Sequence, residues 1–111
     1  MQNAFTAVLE RNAFFTADFA TEPYETGWAT EARWFVRALS LTGDDAVLTL
    51  TPQLSPDGLI WCDADCAPLQ LRGPGMVTCA LRDFGHWLRL DCALHGDSAA
   101  VKVLIYLALK E

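Results

Sequence analysis

The sequence predicts an all-β protein, an antiparallel β-sandwich with a jelly-roll-like arrangement of about seven to nine short strands. The first observation is strict alternation near the C-terminus, where apolar residues recur at Val101, Val103, Ile105, Leu107 and Leu109. That two-residue period is typical of a strand with one buried face. The second observation is an internal repeat, and the third is that no segment has the period of a long helix.

The length of the chain limits it to one domain. It has 111 residues and a mass of 12.2 kDa, which is enough for a single modest core spanning residues 1–111. Hydrophobic residues make up 52% of the chain and charged residues 20%. That balance excludes a disordered segment, which needs low hydrophobicity and high net charge.

Further strands are predicted from β-branched, aromatic and alternating residues in segments 4–10, 13–20, 33–40, 48–54, 76–81 and 87–94. Arg11-Asn12 has the length of a two-residue hairpin connection, so residues 1–27 are predicted to form an N-terminal hairpin and a loop. Pro52 removes a backbone donor from its strand, which favours an edge or a bulge. Residues 62–74 contain Pro68, Gly73 and Pro74 and are predicted to be irregular.

The internal repeat appears at a shift of 53 positions. It matches Trp34 with Trp87, Leu41 with Leu94, Gly43-Asp44 with Gly96-Asp97, Ala46 with Ala99 and Leu54 with Leu107. Both copies begin with an aromatic residue, pass through Gly-Asp and end in a second apolar run. We therefore predict two similar β-turn-β units, at 28–61 and 81–110, with Gly-Asp as the hairpin turn in each.

The sharpest local motif is a predicted structural turn formed by Ser55, Pro56, Asp57 and Gly58, followed by Trp61. Proline fixes φ, aspartate bonds its own backbone two residues on, and glycine accepts positive φ. The motif indicates a tight reversal with Trp61 packing back beside it, and it is a feature of fold before function.

Metal and catalytic sites have little support in the sequence. Cys62, Cys66, Cys79 and Cys92 lack the paired spacing of structural zinc sites and are predicted to be buried free thiols. Calcium bound by Asp57, Asp63 and Asp65 is chemically reasonable, but an exposed acidic surface explains the same residues. His86 and His95 both fall in predicted turns without an evident nucleophile. We expect no cofactor, no metal and no enzyme activity.

Net charge narrows the range of partners. Eight Lys and Arg against fourteen Asp and Glu give a charge of -6, opposite to the basic footprint that nucleic acid requires. No apolar run has the roughly 18 residues of a membrane span, and residues 1–10 lack a secretory pattern. We therefore expect no nucleic-acid or membrane partner, and assembly in the cytoplasm.

Aromatic residues are abundant, with four Trp and six Phe. They either fill the core and a subunit interface or form an exposed platform for sugar rings, as in carbohydrate-binding sandwiches. The first alternative predicts a homo-oligomer, with Phe15, Trp28 and Trp34 as contact residues. The second predicts a module for recognising a host surface.

The order of motifs between about Thr30 and Lys110 resembles a known group of proteins. The motifs are Arg33-Trp34-Phe35-Val36, the first Gly-Asp, the Ser55 to Trp61 turn, Phe84 to Arg89, the second Gly-Asp and the final strand. They resemble small virion proteins of tailed bacteriophages, in which a sandwich domain decorates or joins capsid parts. The resemblance implies a capsid decoration or cement protein in the virion that binds other virion proteins, above all the major shell protein. It implies no catalytic or ligand-binding residues.

Overall fold

Two long strands organise the molecule. The computed structural model describes residues 3–111. Strand β4 (Glu31–Ser55) pairs antiparallel with β8 (Trp87–Lys110) along its whole length, from Glu31 opposite Lys110 to Ser55 opposite Trp87. The other strands are β1 (Ala4–Phe15), β2 (Phe19–Ala20), β3 (Tyr24–Glu25), β5 (Cys62–Asp63), β6 (Leu69–Leu71) and β7 (Gly75–Arg82). Eight strands and no helix within residues 3–111 confirm the predicted all-β, sandwich-like fold, and no described segment forms a helix that could cross a bilayer.

The eight strands are hydrogen-bonded into one sheet, and the register shifts at the centres of β4 and β8 divide it into two halves, which we call the first and the second sheet of the sandwich. In the first sheet, residues 101–110 of β8 lie between β1 and residues 31–42 of β4, and β7 pairs with the other side of β4. In the second sheet, residues 87–95 of β8 and 47–55 of β4 form the centre, with β2 and β3 on one side and β5 and β6 on the other.

One hydrophobic core fills the space between the two sheets. Alternate residues of the long strands point into it and are fully buried: Trp34, Val36, Leu48, Leu50, Leu88, Leu90, Val101, Val103, Ile105, Leu107 and Leu109. The alternating C-terminal residues behave as their period predicts. The residues that alternate with them along each strand point outward, so each sheet has an outer side that is not covered by the other sheet.

The Gly-Asp pairs are corners and not hairpin turns, so the predicted β-turn-β units are wrong in this respect. Gly43 and Gly96 have φ of 118° and 122°, and the pairing register shifts on both sides of Asp44 opposite Asp97. Each strand continues through its corner because the other long strand supplies its partner there. In a hairpin, the segments before and after each Gly-Asp would instead pair with one another.

The repeat is nevertheless visible at the corner as a local two-fold relation. A Cβ on Gly43 would lie 2.7 Å from Ala99 Cα, and one on Gly96 would lie 2.9 Å from Ala46 Cα. Asp45 and Ser98, also 53 positions apart, both have φ of 54°. The two long strands thus have the same backbone conformation at the corner, and each packs its glycine against the backbone of the other.

A bulge breaks the equivalence of the repeat before the corner. Ala38 lies opposite Val103 and Ser40 opposite Lys102, so Leu39 is one residue extra. One extra residue reverses which side of the strand faces the core. Trp34 therefore lies in the core, whereas its repeat partner Trp87 points outward, where Gly58 packs against its ring.

The N-terminal hairpin is also replaced. Strand β1 continues through Arg11-Asn12, where register shifts and φ of 53° at Asn12 mark a bulge. Residues on both sides of Asn12 pair with β8, which explains why no hairpin forms. The chain crosses to the second sheet after Phe15, whose ring stacks on Phe19 at a centroid distance of 3.6 Å.

Candidate interaction surfaces

The outer side of the first sheet carries most of the cations of this acidic chain. Five of its eight Lys and Arg side chains are exposed there, and we call this surface the basic face: Arg33, Arg37, Arg82, Lys102 and Lys110. Alternation places them outward because Ala32, Trp34 and Val36 point into the core. Among the paired residues of this sheet, Glu31 is the acidic side chain on the same side, and it forms an ion pair with Arg82.

Apolar side chains occupy the middle of the basic face. Phe35 lies opposite Tyr106, which lies opposite Val8, so one row crosses three strands. Met76 is 61% exposed and lies opposite Arg37. Arg33 donates to Thr78 Oγ1 at 3.2 Å, which orients its guanidinium across the neighbouring strand. An apolar centre with cations around it is the composition of a protein-docking surface.

The outer side of the second sheet differs in charge. It carries the exposed carboxylates of Glu25, Asp63 and Asp91, and we call it the acidic face. Its one cation among the paired strand residues is Arg89, whose guanidinium lies 4.5 Å from the centre of the Trp61 ring. Arg89 Nε also donates to Gln53 Oε1 at 2.8 Å, so this cation is engaged within the face.

A hydrogen-bonded loop joins β4 to β5 beside the acidic face. Ser55 is buried, and its Oγ accepts bonds from the backbone N–H groups of Asp57 at 3.2 Å and Gly58 at 2.8 Å. Asp57 Oδ1 accepts from Leu59 N at 2.9 Å and Ile60 N at 3.2 Å. Gly58 has φ of 78°, as the turn requires.

The tip of this loop exposes two aliphatic side chains. Leu59 is 80% exposed and Ile60 is 77% exposed, and their backbone is held by Asp57. The bonds from Leu59 N and Ile60 N, followed by the bond from the Ser55 hydroxyl, lower the pKa of Asp57. The loop is therefore an ordered projection whose apolar tip lies away from the core.

Acid should loosen this loop at an unusually low pH. A lowered folded-state pKa means that the carboxylate supports the turn above the unfolded pKa and loses that support as pH falls through the folded pKa. We expect the amide shifts of Leu59 and Ile60 to titrate together, with a midpoint below 3.8, the ordinary Asp value. A ¹H–¹⁵N titration measures this, and Asp57→Ala should abolish the transition.

Asp65→Ala is the control, because Asp65 is exposed nearby and makes none of the turn's hydrogen bonds. If the amides titrate at the ordinary value, or if Asp57→Ala leaves their shifts unchanged, the account of the turn is wrong.

The predicted contact residues lie in three different environments. Trp34 is fully buried, so its prediction as a contact residue is wrong: the bulge at Leu39 sets the side of the strand that turns inward. Phe15 is half-buried against Phe19. Trp28 is 39% exposed and lines, with Phe5 and Tyr24, an open cleft of about 470 Å³.

Of the four cysteines predicted to be buried, Cys92 is buried, whereas Cys62 is exposed and Cys66 and Cys79 are half-buried. Within residues 3–111 no three His, Cys, Asp or Glu side chains lie close enough together to bind an ion. Burial raises the pKa of Cys79 to about 11, with the neighbouring Cys66 adding to the shift, and burial also raises the pKa of Cys92. These two thiols therefore ionise less readily than an exposed cysteine does, which lowers their reactivity as nucleophiles.

Two solved structures, one of them of a prophage-derived protein, have a similar architecture. The PBSX exported protein XepA matches with a TM-score of 0.70 and 14% identity, over 95% of this chain and 36% of XepA. The SPBc2 prophage-derived protein YomS matches with a TM-score of 0.61 and 7% identity, over 100% of this chain and 96% of YomS. The chain shares their fold. It spans about a third of the length of XepA and nearly all of YomS. No protein-family model and no curated protein sequence matches it.

Sequence reasoning missed both outer faces. Alternation of Arg33 and Arg37 with apolar residues, and of Lys102 and Lys110 in the last strand, was the available signal for the basic face. Its charge becomes apparent only when β4 and β8 are known to be neighbours in that register. Leu59 and Ile60 lay inside the recognised turn motif, where their full exposure had no separate signal.

Proposed function

We propose that this chain is a non-enzymatic structural protein of a bacteriophage, specifically a capsid-associated decoration or cement component that acts through protein–protein contacts. The observation that carries the proposal is the fold shared with two solved structures, one of them of a prophage-derived protein, over at least 95% of this chain. The proposed partners are other virion proteins, chiefly the major shell protein, and the proposed location is the virion.

The surfaces support a role in protein contacts. The basic face combines exposed cations with Phe35, Tyr106 and Met76, and the cavity beside Glu31, Arg33 and Arg82 has a volume of only about 240 Å³. That volume is below the usual range for small-molecule sites, which begins near about 300 Å³. A broad, shallow face with arginines and aromatic residues suits a protein surface better.

Particle association is the decisive test. In a density gradient of a culture producing the phage that encodes this chain, we expect the chain to co-sediment with intact particles in fixed ratio to the major shell protein. A high copy number supports shell decoration. The double variant Arg37→Glu with Lys102→Glu should reduce its content in particles, because both cations belong to the basic face.

The matched control compares single reversals: Arg72→Glu, outside the paired strands, should leave particle content unchanged, whereas Arg37→Glu should lower it. Absence of the wild-type chain from purified particles would refute the proposed function.

The cleft of Phe5, Tyr24 and Trp28 favours a second candidate, a carbohydrate-binding module. The rings of Phe5 and Tyr24 are nearly parallel, with centroids 6.5 Å apart, and Trp28 is partly exposed beside them. Aromatic faces of this kind stack on sugar rings. This candidate predicts saccharide-dependent quenching of tryptophan fluorescence that Trp28→Ala removes, whereas the structural role predicts no such quenching.

A further inference from the structure

The two outer faces of the sandwich carry opposite charge. The basic face holds five of the eight Lys and Arg residues. The acidic face exposes Glu25, Asp63 and Asp91, while its Arg89 is engaged by Trp61 and Gln53. The paired strand residues on the two outer sides thus carry opposite charge, and the positive side belongs to a chain whose net charge is -6.

The faces also complement each other in apolar surface. Leu59 and Ile60 project from the loop beside the acidic face, and the basic face carries Phe35 and Tyr106 on its central strands and Met76 on its edge strand. That the loop lies beside this face follows from two contacts, Gly58 against the Trp87 ring and Trp61 beside Arg89. Exposing two adjacent aliphatic side chains on a rigid tip is unfavourable in water and favourable in an apolar recess.

We infer that the chain associates head to tail with a second copy of itself, the basic face of one copy receiving the Leu59-Ile60 tip and the carboxylates around it from the next. A symmetric contact between two basic faces would set Arg37 and Lys102 against the same cations of the partner copy, which like-charge repulsion disfavours. The contact is therefore heterologous, and a head-to-tail pair keeps one basic face free at one end and one acidic face free at the other for further association.

This inference rests on the proposed function in assigning the chain to an assembly, but its test uses the purified protein alone. Sedimentation velocity at low salt should show species larger than the monomer, and high salt should weaken the association by about tenfold or more because the charges are exposed. Failure here would leave particle association to be decided by its own gradient experiment.

Variants of the two faces test the heterologous geometry. We expect Arg37→Glu with Lys102→Glu to be monomeric, because its basic face is reversed while its loop is intact. We expect Leu59→Ser with Ile60→Ser to be monomeric for the opposite reason. An equimolar mixture of the two should form a one-to-one dimer and nothing larger, since only one competent pair of faces remains.

Arg72→Glu changes net charge as much as Arg37→Glu alone does; it should associate as the wild type does, whereas Arg37→Glu should associate more weakly. Circular dichroism confirms that each variant is folded. The inference is overturned if the wild type is monomeric at low salt, if the mixture stays monomeric, or if either face variant associates like the wild type. It is also overturned if association appears only on addition of anionic vesicles or of an unrelated acidic protein.

Discussion

Replacing Trp34 by alanine should cost about 3–5 kcal/mol of unfolding free energy. Trp34 is 0% exposed and packs in the single core between the two sheets. The loss is a large fraction of the roughly 5–15 kcal/mol that holds a typical domain folded. Urea unfolding followed by far-UV circular dichroism measures it, because three other tryptophans would confuse a fluorescence signal.

Trp34→Phe separates packing from polarity at the same site. Among the described residues the indole Nε1 of Trp34 is buried without a hydrogen-bond partner, and an unpaired buried donor costs about 1–3 kcal/mol. Phenylalanine removes that donor and keeps most of the ring, so its loss should be less than half that of alanine. Trp28→Ala, at a partly exposed site, should lose less than about 1.5 kcal/mol. Equal losses at Trp28 and Trp34 would contradict the burial described here.

The fold class was predictable because alternation is a local property. Every second residue from Val101 to Leu109 is buried, as the two-residue period indicates. Which strands pair was not predictable, because pairing β4 with β8 joins residues more than 30 positions apart and leaves no mark on either segment alone. Gly43-Asp44 and Gly96-Asp97 have the composition of hairpin turns, and only the partner strand distinguishes a corner from a turn.

For the candidate surfaces, too, features set by neighbouring residues were predictable, and features set by the pairing of distant strands were not. The hydrogen bonds of Ser55 and Asp57 span two or three residues, and their sequence motif anticipated the turn. The basic face draws its cations from β4, β7 and β8, so its existence depends on distant pairing. The single extra residue Leu39 decides where Trp34 lies, because without this bulge the Trp34 side chain would point to the opposite side of the sheet.

Alanine at either corner glycine should destabilise the fold by about 2–5 kcal/mol, since it adds backbone strain to steric overlap. A Cβ on Gly43 would meet Ala99 Cα at 2.7 Å and Asp97 O at 2.8 Å. These are backbone atoms, which cannot move aside as a flexible side chain can. We expect Gly43→Ala and Gly96→Ala to give losses within about 1 kcal/mol of each other, because their environments match.

Alanine substitutions at two other glycines separate the contribution of backbone strain from that of steric overlap. Chemical denaturation measures the unfolding free energy of each variant. Gly85 has φ of 82° with no atom within 4 Å of an added Cβ, so Gly85→Ala should show only backbone strain of about 1 kcal/mol. Gly73 has open space and no positive φ, so Gly73→Ala should change stability by less than about 0.5 kcal/mol. The order Gly73, Gly85, then both corner glycines follows from the shared corner, because among the glycines of residues 3–111 it is Gly43 and Gly96 whose added Cβ would meet backbone atoms of the other long strand. Corner variants no less stable than Gly85→Ala would show that the long strands do not cross this closely.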